Sequence, residues 1–276
     1  MKKIHLKILA LILFALQFNA KAQQQSIELP LYQNAKIDGI EKPEDQPTLT
    51  VFIPEKSIRA AVILCPGGGY RYLETNKEGS AFAQLFNSQG IVLIVLKYRL
   101  PDGKPDFPVE DVEQAMRLVK QNSDKWGIDK EKIGIMGCSA GGHLASTLAT
   151  HFHADTRPAF QILIYPVITM DKKFTHQGSR TKLLGTHPTA KMLKLYSNEL
   201  QVTPQTPPAF IVLSDDDKTV PSPNSVQYYL ALQKNGVSAE LHIYPTGGHG
   251  WAYNECFKYQ SEWLMELKRW LKDVLQ

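Results

Sequence analysis

Cysteine is scarce in this sequence: three residues in 276, Cys65, Cys138 and Cys256. An odd number at such wide spacing excludes the disulfide frameworks of small secreted domains. Cys65 and Cys138 end apolar runs, where a free cysteine packs as a small hydrophobe. Internal repeats and low-complexity tracts are also missing, which excludes solenoids and linker-built chains. The Gly-rich segment after the strand at 59–65, Gly67-Gly68-Gly69, lacks the lysine and the spacing of a phosphate-binding P-loop.

Charge asymmetry is missing too, once the N-terminus is understood. Lys2, Lys3 and Lys7 precede an apolar stretch over residues 8–16, and Ala20-Lys21-Ala22 follows as a small-x-small site. This is the pattern of a signal peptide over residues 1–22, cleaved to leave Gln23 first. The apolar run is short for a bilayer span, and no cysteine offers a lipid anchor. Removing Lys2, Lys3, Lys7 and Lys21 from a chain of formal charge +4 leaves a mature chain of zero net charge. The basic precursor therefore gives no reason to expect nucleic acid as a partner, or stable membrane insertion after cleavage. The address it predicts is periplasmic or secreted. Nothing in the sequence bears on oligomeric state.

What is present is an ordinary globular composition, 43% hydrophobic and 21% charged, which excludes disorder. Residues 23–48 are polar with scattered prolines and read as an N-terminal arm. From 49 to 276 strand and helix patterns alternate. Strands are expected at 49–53, 59–65, 91–96, 132–136, 160–165, 210–213 and 239–244, from short apolar or alternating runs bounded by Gly and Pro. Helices are expected at 78–89, 109–126, 142–149, 224–234 and 255–274, with a loop over 101–108. Residues 167–207 break the alternation and read as a lid-like insertion at the carboxyl end of the sheet. The pattern predicts one α/β domain with three layers, a mostly parallel central sheet with helices on both faces. Ligands in such sheets bind beyond the carboxyl ends of the strands.

The chemistry centres on Gly137-Cys138-Ser139-Ala140-Gly141, between an apolar strand and a helix. The Gly-x-Ser-x-Gly pattern in that context predicts a nucleophile elbow, with flanking glycines allowing a sharp turn that lifts the serine from the sheet. Cys138 is the wrong register for a thiol nucleophile, because a Gly-x-Cys-x-Gly frame needs glycine at Met136 and Ala140. A serine nucleophile needs a base, a group to orient the base, and donors for an oxyanion. His249, between glycines after the last strand, is the candidate base. His143 lies within the helix after the elbow and reads as a packing residue, and His151 and His153 lack a third ligand for a metal. The acid belongs after the strand at 210–213, where Asp215, Asp216 and Asp217 are all available and spacing does not rank them. The N–H of Ala140 and one from the 67–69 loop would complete the oxyanion site. No cofactor or metal is called for.

These motifs resemble the α/β-hydrolase esterases, close to the secreted bacterial group of acetylxylan esterases and feruloyl-esterase-like hydrolases. The resemblance runs from about Ala61 to the C-terminus. It is carried by Cys65-Pro66-Gly67-Gly68-Gly69-Tyr70, Leu96-Lys97-Tyr98-Arg99-Leu100, the elbow through Ala145, Asp215 to Pro221, and Gly248-His249-Gly250-Trp251. The family pattern sets the acid four residues before a proline, which selects Asp217. It also implies Gly68 and Gly69 as oxyanion donors, although Pro66 stands where related enzymes have histidine. The resemblance implies a carbohydrate ester as substrate, with acetyl groups on xylan or a similar glycan foremost. A feruloyl or general carboxylesterase, a small peptidase, and a glycan-binding pseudo-hydrolase are the alternatives. Tyr70, Arg71, Tyr72 and Trp251, in loops beside the expected site, are candidates to contact sugar.

Overall fold

A computed structural model describes residues 26–33, 37–40 and 42–276. The signal peptide expected over residues 1–22, with its cleavage after Ala22, lies outside the described residues. Eight strands form one sheet among the described residues: β1 (Ser26–Pro30), β2 (Thr48–Phe52), β3 (Ala60–Cys65), β4 (Ile91–Lys97), β5 (Ile133–Cys138), β6 (Gln161–Ile164), β7 (Ala209–Ser214) and β8 (Ala239–Tyr244). Their spatial order is β1-β2-β4-β3-β5-β6-β7-β8. Only β2 runs against the rest: it pairs antiparallel with both β1 and β4, and every other pairing, from β4 across to β8, is parallel. The elbow strand β5 thus sits centrally, between β3 and β6.

Central strands of a covered parallel sheet are apolar on both faces. In β3 the alternation divides one strand between two cores: Ala61 and Ile63 face one, Ala60, Val62 and Leu64 the other. The first core is closed by α2 (Asp106–Gln121), α4 (Ser139–His151) and α7 (Pro223–Lys234), through Val112, Leu144, Leu148, Tyr228 and Leu232. The second is closed by α1 (Ala83–Ser88) and α8 (Gln260–Val274), through Phe86, Trp263, Leu267 and Trp270. Each such aliphatic or aromatic side chain, fully buried, contributes about 2 kcal/mol before the entropy of ordering it is subtracted. Cys65 and Cys138 are both free, and they belong to opposite cores, so the sheet itself separates them.

Some expected boundaries move. Residues 78–89 are not one helix: a turn carries the chain to Gly79, a 3-10 segment covers Ser80–Phe82, and only α1 is α-helical. The region 101–108 is not all loop, because α2 begins at Asp106 with Pro108 in its first turn, where no N–H is needed. The helix expected to reach 126 breaks after Gln121, and α3 (Ser123–Trp126) follows, closed by Gly127 in the left-handed region at φ 65°. The last helix starts at Gln260 rather than 255, since residues 254–259 fold back and stack Phe257 on Trp251.

The segment 167–207 carries α5 (Gln177–Leu184) and α6 (Ala190–Leu195). It is anchored on the first core by Val167, Ile168, Met170, Leu183 and Leu184. Asn224 at the start of α7 accepts from the N–H groups of Ile168 and Thr169. No helix among the described residues is long and apolar enough to cross a membrane.

Candidate active site

Ser139 is the first residue of α4 and stands where β5 ends. Its φ of 52° is left-handed, a conformation that costs a non-glycine residue about 1–3 kcal/mol. The strain thus falls on the serine, not on its flanking glycines, neither of which has a positive φ. The glycines serve close packing instead. A Cβ on Gly137 would stand 2.1 Å from the carbonyl oxygen of Gly141, and one on Gly141 would stand 2.0 Å from that of Cys65. Bare backbone on both sides lets α4 begin directly against the sheet. Cys138 is fully buried and packs in the second core.

Three loops at the carboxyl edge of the sheet converge on Ser139. The loop after β8 brings His249, whose Nε2 lies 2.8 Å from Ser139 Oγ. The loop after β7 brings Asp217, whose Oδ2 lies 2.6 Å from His249 Nδ1. A carboxylate accepts, so Nδ1 carries the proton and Nε2 is left to accept from the serine hydroxyl. Asp217 is 4% exposed, and its Oδ1 accepts from the N–H groups of Thr219 and Val220 at 2.9 Å each. Its two neighbours are exposed; Asp216 accepts from Gly248 N–H at 2.7 Å, bracing the histidine loop, and Asp215 faces solvent. Geometry therefore separates the three aspartates that spacing could not.

The loop after β3 brings Gly68 and Gly69, both with positive φ, into the wall of a cavity of about 320 Å³ that also contains Ser139 and His249. A Cβ on Gly68 would stand 2.2 Å from the carbonyl oxygen of Tyr72, so only glycine fits the tight turn there. Ala140 is the second residue of α4, in the first turn, where backbone N–H groups have no partner within the helix. The cavity wall also holds Arg71, Tyr72, Glu78, His176 and Thr219.

Two candidate sugar contacts are corrected. Tyr70 is 1% exposed, and its hydroxyl bonds His143 Nδ1 at 3.1 Å beneath the elbow helix. Trp251 is 4% exposed, stacked on Phe257 and donating from Nε1 to Ser214 Oγ at 2.9 Å. Both rings are spent on packing, so neither offers a face to substrate. Arg71 and Tyr72 do line the cavity, and Tyr72 is 59% exposed.

Two cavity residues have no signal in the sequence. His176 comes from the 167–207 segment; burial, with His249 and Arg71 nearby, pushes its pKa down. Glu78 is 5% exposed, and burial pushes its carboxyl up. Its Oε2 accepts from Gly67 N–H at 3.0 Å and its Oε1 from Tyr165 O–H at 2.8 Å. A helix-start glutamate reads as solvated in a sequence, and only the fold turns this one inward.

Among the described residues one group, Glu240, His242 and Glu266, has ligand atoms near enough to share a metal ion. Arg269 already pairs with both glutamates, and none of the group lines the cavity.

A family model described as alpha/beta hydrolase fold matches residues 62–253. An acetylxylan esterase of Xylanibacter ruminicola is 40% identical over 230 residues, covering 82% of this chain and 48% of that protein. Endo-1,4-beta-xylanase B of Butyrivibrio fibrisolvens is 36% identical over 222 residues, covering 74% of this chain and 34% of that protein. The chain therefore spans about half the length, or less, of these curated relatives. A solved structure, the acetyl ester-xyloside bifunctional hydrolase from Caldicellulosiruptor lactoaceticus, superposes with a TM-score of 0.83 at 34% identity, covering 92% of this chain and 98% of that one.

Proposed function

This chain belongs to the α/β-hydrolase fold family, and we propose that it is a secreted serine esterase that removes acyl groups, acetyl foremost, from xylan or related polysaccharides and oligosaccharides. The observation that carries the reading is the continuous contact from Ser139 Oγ through His249 to Asp217, at 2.8 and 2.6 Å. The similarity to an acetylxylan esterase and to an acetyl ester-xyloside hydrolase supports the choice of ester.

In this reading Ser139 attacks the ester carbonyl carbon as its proton passes to His249 Nε2. Asp217 keeps the imidazole in the accepting tautomer and stabilises the imidazolium. The carbonyl oxygen gains negative charge and is met by N–H groups of Ala140, Gly68 and Gly69. Each such donor is worth about 3 kcal/mol to the transition state. The start of α4 adds the positive end of its dipole at the same point. Collapse breaks the bond to the sugar oxygen, which leaves with the proton from His249. Water then attacks the acyl-enzyme, with His249 again as base, and releases the carboxylic acid and free Ser139. Every step uses protein groups and water. Arg71, Tyr72 and His176 are placed to meet the glycan beyond the ester, and Tyr72 has an open ring face for a sugar.

Export follows the N-terminal pattern, with cleavage after Ala22. The N-terminal sequence of exported protein tests this, with Gln23 expected first. Acetate release from acetylated xylan, pectin and xylo-oligosaccharides, compared side by side, tests the substrate class. Xylan-type esters should be preferred, and equal rates on all three would remove the glycan preference.

A further inference from the structure

The serine, the histidine and the donor loop lie on three separate loops, and something must keep them in register. Glu78 lies between two of them. It stands at the end of the turn that follows the donor loop, where Glu74 N–H bonds Gly67 O at 3.0 Å and Glu78 N–H bonds Glu74 O at 3.2 Å. The chain thus doubles back, and the Glu78 side chain returns to the loop it came from. A Cβ on Gly67 would stand 2.2 Å from Glu78 Oε2 and 3.0 Å from Ser139 Cβ. The carboxylate and the elbow serine therefore flank the same face of Gly67.

Its two oxygens have separate duties. Oε2 takes the Gly67 N–H, which fixes that peptide plane next to Gly68 and Gly69, both of which line the cavity. Oε1 takes the Tyr165 hydroxyl. Tyr165 directly follows β6 with a left-handed φ of 35°, and its ring centroid lies 4.6 Å from that of His249. Behind it the ring is backed by Trp251, edge-on at 4.9 Å. A buried carboxylate is costly, and unmade hydrogen bonds at such a group cost more. A glutamate whose only duty was to fill space would be replaced at lower cost by an apolar residue.

We propose that Glu78 is a positioning residue of the esterase site: through Gly67 on one oxygen and Tyr165 on the other, it locks the oxyanion-donor loop to the wall that holds His249. The proposal rests on the esterase reading above. Glu78 need not touch substrate. It acts through the two loops it joins, and small displacements of donor or base are enough to slow acyl transfer strongly. The charged and titratable groups around it are His249, Tyr165, Glu74, Cys138 and Tyr98; those around His249 are Asp217, Tyr165, Glu78 and His176, with Arg71 beside His176.

The test compares Glu78→Ala, Glu78→Gln and Tyr165→Phe on p-nitrophenyl acetate, beside the wild type and Ser139→Ala. Glutamine keeps the brace, accepting from Gly67 N–H while its amide donates to the Tyr165 oxygen, but it carries no charge. The expected result is that Glu78→Ala loses about tenfold or more in kcat with KM within about threefold. Glu78→Gln should recover most of that loss. Its acid limb of kcat/KM should move to lower pH, because a negative charge near the imidazolium is gone. Tyr165→Phe should lower kcat severalfold without moving that limb.

A folded Glu78→Ala variant with kcat within twofold of wild type overturns the proposal, and so does a glutamine variant as impaired as the alanine one. If the alanine variant does not fold, unchanged kcat in Tyr165→Phe together with an unmoved acid limb in Glu78→Gln overturns it equally. A wild type inactive on esters would instead remove the esterase reading, and this proposal with it. Ser139-dependent activity with unimpaired Glu78 variants would remove the brace alone.

Discussion

Tyr70 donates its hydroxyl to Nδ1 of His143 at 3.1 Å, directly beneath the helix that starts at the elbow. The tautomer follows from the other nitrogen: His143 Nε2 faces the Tyr196 carbonyl at 2.8 Å, which only accepts, so Nε2 carries the proton. A neutral His143 therefore joins three parts of the site's support: the donor loop that Tyr70 ends, the elbow helix, and the 167–207 segment.

Burial lowers the His143 pKa from 6.5 to about 4. The folded protein thus binds fewer protons than the unfolded chain between those values. The associated stability is present above pH 6.5 and is lost as pH falls toward 4. The loss for this group is on the order of 3 kcal/mol. Urea unfolding from pH 7 to 4 should show a falling midpoint, with a shallower fall in His143→Gln. An equal slope in the two proteins would rule out His143 as the titrating group.

The three aspartates after β7 should separate sharply. Asp217→Asn removes the acceptor that sets the His249 tautomer and should lower kcat on the order of 10³–10⁴-fold. Asp216→Asn alters one bond to Gly248 and should cost less than about tenfold. Asp215→Asn should be within about twofold. Steady-state kinetics on a chromogenic acetate ester would rank them, and a larger loss in either of the other two variants would displace Asp217.

The elbow glycines answer to packing, so even the smallest side chain should fail there. Gly141→Ala would drive a Cβ to 2.0 Å from a backbone carbonyl that cannot move without shifting β3. It should cost about 3 kcal/mol or more in stability. Gly248→Ala meets no atom within 4 Å and carries only the strain of its φ of 60°, so it should cost about 1–2 kcal/mol. Thermal unfolding of the two variants checks the contrast; equal losses would assign the elbow effect to backbone conformation.

Much of the fold was legible because its signals are local. The runs at β3, β4, β5 and β7 are buried on both faces, and such strands announce themselves as unbroken apolar stretches bounded by Gly or Pro. The elbow and His249 were legible for a related reason, since tight turns restrict sequence near the reacting atom. What was hidden depends on contacts far along the chain. Glu78 meets Tyr165 from 87 residues away, and no periodicity records that. Tyr70 and Trp251 sit in the right loops, yet their hydroxyl and indole N–H found partners inside the protein. An aromatic residue beside a glycine turn does not reveal which way its ring points. Asp217 was separable from its neighbours only through the resemblance to known esterases, until its oxygens were seen to be fully engaged.

Covalent trapping asks whether Ser139 is the nucleophile of an acyl-transfer site. The protein would be treated with a fluorophosphonate, digested, and its adduct located by mass spectrometry. One stoichiometric adduct is expected on Ser139, none in Ser139→Ala, with loss of ester hydrolysis in step with labelling. An unlabelled protein that still hydrolyses esters, or a Ser139→Ala variant that keeps full activity, would contradict it.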